Sequence, residues 1–102
     1  MTAVRRIRLA LPELCRQFDL PEPVAEHLFA APERRFRFDW CWPERHVALE
    51  EDGGVWIRGR HNHPTGYLRD MEKLNLAAEL GWRVFRYETG HVDMAQLARV
   101  LA

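Results

Sequence analysis

Between Arg35 and Glu51 the chain alternates apolar and polar residues with the period of two that marks β-strands. Phe36, Phe38, Trp40 and Trp42 fall on one face of the first run, and Arg35, Arg37, Asp39 and Cys41 on the other. After Pro43-Glu44-Arg45, Val47 and Leu49 alternate with His46, Ala48 and Glu50, and Asp52 continues the Glu50 side if the extended conformation lasts that far. The short connection predicts a hairpin of adjacent antiparallel strands. Asp39, Glu50 and Asp52 are then expected to converge, with Asp39 and Glu50 opposite Phe38 and Leu49.

The periodicity elsewhere is mostly helical. Ile7, Leu9, Leu11, Leu14 and Phe18 predict a short helix over about 9–18, ended by Pro21-Glu22-Pro23. A strand is expected over about 24–30, with Glu26 at the rim of the site. Residues 55–64 read as an aromatic, basic, glycine-punctuated loop, a kind that tends to be functional. A helix follows over 67–80, with Tyr67, Met71, Leu74 and Ala78 as its buried stripe and Gly81 as its stop. Asp70, Lys73 and Ala77 run beside that stripe, which puts Lys73 in range of the acidic cluster. A strand over 82–87 and a helix over 93–101 complete an α/β (α+β) order αβββαβα.

Composition narrows the reading without deciding it. A chain of 102 residues that is 47% hydrophobic fits one globular domain, 1–102, with a single modest core. Its formal net charge is zero, from 15 basic and 15 acidic residues, so any capture of nucleic acid must rely on local charge. Cys15 and Cys41 match no metal-binding spacing and read as free thiols in a reducing cytoplasm. Pro12 and Glu13 cut the early apolar run too short for a signal peptide, and no stretch approaches a membrane span. A cytoplasmic protein with no membrane partner is expected.

Three carboxylates on one sheet face repel unless they are protonated, paired or metal-bound. A hard divalent cation resolves that conflict, since magnesium is held by one or two carboxylates with water and phosphate completing its shell. A solvated sheet face carrying acids and arginines for solubility accounts for the same alternation. Lysine usage adds a second signal. Of the 15 basic residues only Lys73 is lysine, and a compact ammonium that can orient water is something arginine does not imitate.

These stretches resemble the restriction-endonuclease-like PD-(D/E)XK nucleases, and within them the small phage and bacterial endonucleases related to very-short-patch-repair enzymes. The resemblance is carried by Arg35-Phe36-Arg37-Phe38-Asp39-Trp40 with Trp42-Pro43-Glu44, and by Ala48-Leu49-Glu50-Glu51-Asp52-Gly53-Gly54-Val55-Trp56. Gly59-Arg60-His61, the segment 66–75 with Asp70, Glu72 and Lys73, and Gly81-Trp82-Arg83-Val84 extend it. It implies a restriction-endonuclease-like core, a mixed sheet of about four strands flanked by helices. It also implies cleavage of DNA phosphodiesters with Mg2+, Mn2+ serving as a substitute, and metal ligation at Asp39 and Glu50. Asp52 occupies the place where the usual motif has lysine, and Lys73 is the candidate, by position, for that migrated role.

On that reading Asp52 completes the metal ligands or accepts a proton, while Lys73 orients the attacking water or offsets phosphate charge. Arg58, Arg60, His61 and His63 on the loop, with Arg35 and Arg37 on the sheet, are expected to hold the DNA backbone, and Trp56 to wedge or stack. The contiguous His61-Asn62-His63 is not the dispersed signature of the nuclease class whose name it spells. His61, His63 and His91 match no zinc pattern. Two rivals stand beside an endonuclease, which could itself be a homodimer. One is a catalytically degenerate nucleic-acid-binding module. The other is an interaction subunit of a larger phage or defence assembly, with Trp56 as anchor.

Overall fold

The structure is a computed structural model that describes residues 10–52 and 64–102. Its elements are α1 (Leu11–Gln17), β1 (Val24–Leu28), β2 (Arg37–Trp42), β3 (Val47–Glu51), α2 (Pro64–Glu79), β4 (Arg83–Tyr87) and α3 (Met94–Leu101). A 3-10 turn over Pro43–Arg45 joins β2 to β3. The four strands form one mixed sheet in the order β1-β2-β3-β4. The first three are antiparallel neighbours, and β3 pairs with β4 in parallel. A parallel pair cannot be closed by a tight turn, so the connection through α2 is what the β3–β4 pairing requires.

Helices cover both faces of the sheet. On one face Leu11 and Cys15 of α1 and Met94, Leu97 and Leu101 of α3 pack with Trp42, Val47 and Leu49. On the other, Ala77 of α2 packs with Phe38, Cys41 and Ala48, and Phe29, Trp82 and Val84 border them. Val47, Ala48 and Leu49 are all fully buried because β3 is central and covered on both faces. Asp93 caps α3 by accepting the Gln96 N–H at 3.0 Å, and Gly81, at φ 87°, ends α2 in the left-handed conformation that glycine adopts without a Cβ clash.

Two expectations are corrected. The four aromatic residues of the 36–42 run do not share a face, since Phe38 belongs to the α2 side while Trp42 belongs to the α1/α3 side. The break is local. The β1–β2 register passes from Ala25↔Trp40 to His27↔Phe38, and Glu26, the residue opposite Asp39, has φ 51°, a conformation uncommon outside glycine. Strict alternation breaks at Asp39, between Phe38 on one side of the sheet and Trp40 on the other.

The buried stripe of α2 is also rotated from its expected line. Tyr67 and Met71 are 58% and 42% exposed, and Ala78 is exposed as well. Ala77 is buried and Lys73 half-buried, so the line beside the expected stripe is the one that meets the sheet. Trp82 stands edge-on to Phe38, with ring centroids 4.9 Å apart, and this aromatic surface accommodates a small alanine.

Candidate functional site

Asp39 and Glu50 lie one step beyond the last β2–β3 pair, Trp40↔Leu49. There the side chains take up the backbone donors. Glu50 Oε2 accepts the Asp39 N–H at 3.0 Å, and Asp39 Oδ2 accepts the Glu51 N–H at 2.8 Å. Each carboxylate thereby fixes the other's strand, and no side-chain polar atom buried among the described residues lacks a partner.

Lys73 completes the group from α2. Its Nζ donates to Glu50 Oε1 at 2.7 Å, and it stands 5.9 Å from the centre of the Phe38 ring. The two side chains are only 16% and 13% exposed for Lys73 and Glu50 respectively. Glu50 therefore lies on the Phe38 side of the sheet, not opposite it, while it remains opposite Leu49. The ammonium supplies a counter-charge to Glu50 that the sequence alone left unbalanced.

Asp52 is engaged elsewhere. Its Oδ2 accepts from Arg86 Nε at 3.0 Å and lies 3.0 Å from Arg86 Nη2, while its N–H donates to Tyr87 O at 2.8 Å. The parallel register that sets Glu50 against Arg86 places this arginine at the end of β3. Arg86 was not among the expected site residues. No alternation of apolar and polar residues within Arg83-Val84-Phe85-Arg86-Tyr87 singles it out; the parallel β3–β4 register does.

Asp39 also meets solvent. With Ala25, Glu26, Trp40, Glu51 and Thr89 it lines an open recess of about 410 Å3. Arg37 is exposed and 3.7 Å from Glu26, and Arg35 is exposed. Trp56, Arg58, Arg60, His61 and His63 lie outside the described residues.

The donor set can be weighed against a magnesium ion. Two carboxylates on adjacent strands are hard oxygen donors, and each oxygen can accept more than one bond, so Asp39 and Glu50 are of the type that magnesium takes beside water and phosphate, although among the described residues the recess that Asp39 lines is bordered by neither Glu50 nor Lys73. A third protein ligand is not at hand. Among the described residues no group of three His, Cys, Asp or Glu side chains is placed to hold a metal.

The two cysteines are buried and free, one on each side of the sheet. Burial pushes both thiols up to about 11, with Glu22 adding to the effect at Cys15. They sit within the packing.

No family model, curated protein or solved structure matches this chain. Among the described residues no helix is long and apolar enough to cross a membrane.

Proposed function

We propose that the chain is a magnesium-dependent DNA endonuclease of the PD-(D/E)XK type. The observation that carries this reading is the linked group of Asp39, Glu50 and Lys73, in which Glu50 accepts from the Lys73 ammonium and from the Asp39 N–H, and Asp39 accepts from the Glu51 N–H. A salt bridge serving only to fasten a helix needs one acid. The second carboxylate, at a break in the sheet ladder and on the wall of an open recess, is what chemistry on a phosphate would use.

Asp39 and Glu50 are the residues that would hold the ion. When bound, magnesium supplies positive charge to the phosphate and makes a water molecule more acidic. Lys73 has three N–H donors and gives one to Glu50 Oε1, which leaves two for a phosphate oxygen or the attacking water. Its ammonium offsets negative charge growing on the phosphate. Asp52, held by Arg86, anchors the end of β3 and is available as a ligand only if that pair opens.

The Asp52–Arg86 pair also favours a second reading, a nucleic-acid-binding module without cleavage, because it removes an acid that the endonuclease reading first recruited. Supercoiled plasmid incubated with the protein and Mg2+, with Mn2+, and with chelator separates the two. Nicked and linear products that need the metal are expected. Binding that persists with no cleavage under either metal would sink the endonuclease and leave the binding module.

A further inference from the structure

We infer that Arg69 grips the nucleic-acid backbone beside the carboxylate site, as a positioning residue that extends the site along α2. The inference deepens the endonuclease reading and rests on it for its substrate. Arg69 and Lys73 are four residues apart on α2, hence on one face and about 6 Å apart along its axis. Below them lie Phe36 and Phe38. The Arg69 guanidinium is 5.5 Å from the Phe36 ring centre, and the Lys73 ammonium is 5.9 Å from that of Phe38.

The cations of this ridge differ in what remains free. Lys73 is bound to Glu50. Arg34, 4.5 Å above the same Phe36 ring, pairs through both of its terminal nitrogens with the Glu72 carboxylate. Arg69 is exposed and, among the described residues, makes no ion pair. An aromatic face orients a guanidinium without occupying its N–H donors, whereas a carboxylate occupies them. With respect to the described residues Arg69 is therefore a pre-oriented fork with its donors open, one helical turn from the site, and the ligand matching that geometry is a phosphodiester oxygen pair.

The test is equilibrium binding of a short labelled duplex, in chelator, over a series of salt concentrations. Wild type is compared with Arg69→Met and Arg69→Gln, whose stems keep the contact with Phe36, and with Arg69→Lys. Loss of one phosphate contact should make the slope of log affinity against log salt shallower by about 1 for Met and Gln, with affinity down several-fold at low salt. Lys should retain the wild-type slope. In plasmid cleavage the Met variant should show a raised KM and an unchanged kcat.

Wild-type affinity and slope in both Met and Gln would overturn the inference, and magnesium-dependent cutting by the wild type would then leave the endonuclease reading standing. A shallower slope with no cutting by the wild type would support the Arg69 contact and remove the endonuclease. Failure of the wild type to bind duplex in chelator would overturn the Arg69 contact, and plasmid cutting with Mg2+ would decide the endonuclease reading separately.

Discussion

Lys73 Nζ lies 2.7 Å from Glu50 Oε1, so α2 is fastened to β3 by a charge pair where the β2–β3 ladder has ended. The pair is largely withdrawn from water, which makes each partner costly to leave alone. Glu50 Oε2 meanwhile holds the Asp39 N–H, so one carboxylate joins β2, β3 and α2. A side chain with two such attachments has little freedom, and low freedom is what a metal ligand or a substrate-positioning acid requires.

Asp39→Asn should separate charge from architecture. The amide oxygen can still accept the Glu51 N–H, so stability, measured by denaturant unfolding, should change by no more than about 1 kcal/mol. Plasmid cleavage should fall by a factor of about a hundred or more. A variant that cuts at the wild-type rate would remove Asp39 from the chemistry.

Glu50→Gln behaves differently. One amide group cannot both accept the Asp39 N–H and offer a negative partner to the Lys73 ammonium, so stability should drop by about 1–3 kcal/mol. Relief of carboxylate repulsion does not compensate, because Lys73 already supplies the counter-charge. Adding Lys73→Met should recover part of the loss, and denaturant unfolding of the two single variants and the double variant measures the coupling. Strictly additive losses would mean that the pair contributes nothing to folding.

The thiols give a prediction in pH. Burial raises both Cys15 and Cys41 from 9.0 to about 11, so the folded state favours the protonated thiol more than the unfolded chain does. Their contribution to stability is complete below pH 9 and is lost as the pH rises through about 11. Unfolding midpoints should decline over that window, less steeply in Cys41→Ala. Iodoacetamide at pH 8 should label neither cysteine until denaturant is added, and rapid native labelling followed by mass spectrometry would contradict the burial.

Much of this architecture is legible in the sequence, because its signals are local. Alternation marks β2 and β3, helical spacing with Gly81 and Asp93 marks α2 and α3, and the element order follows. The misread features depend on neighbours. Nothing in Phe36-Arg37-Phe38-Asp39 announces that the alternation breaks at Asp39, opposite a Glu26 on another strand that takes φ 51°. The apolar residues of α2 are spread around the helix, so pattern alone does not say that Lys73 and Ala77 meet the sheet while Tyr67 and Met71 face outward. The Arg86 grip on Asp52 needs the parallel β3–β4 register, which no short-range pattern carries. Asp39 and Glu50 are placed together by the hairpin, and a hairpin is the kind of relation that adjacent residues do encode.

Lys73 is where the endonuclease reading is most exposed to test. Lys73→Met keeps a stem of similar length against Phe38 and deletes the ammonium, leaving Glu50 charged and without its partner. Part of the stability should be lost, and magnesium binding, followed by titration calorimetry, should be retained or strengthened, because the freed Glu50 oxygen becomes available. Cleavage should nonetheless fall by a factor of about a hundred or more, since no other cation among the described residues pairs with Glu50. Lys73→Arg restores the charge with a larger, planar head that stays protonated, so it should restore stability more fully than activity. The signature is a variant that folds and binds metal but does not cut, with the arginine variant between it and wild type. If the methionine variant cleaves at the wild-type rate, Lys73 serves only to hold α2 on the sheet, and the charge that stabilises the phosphate must come from another residue.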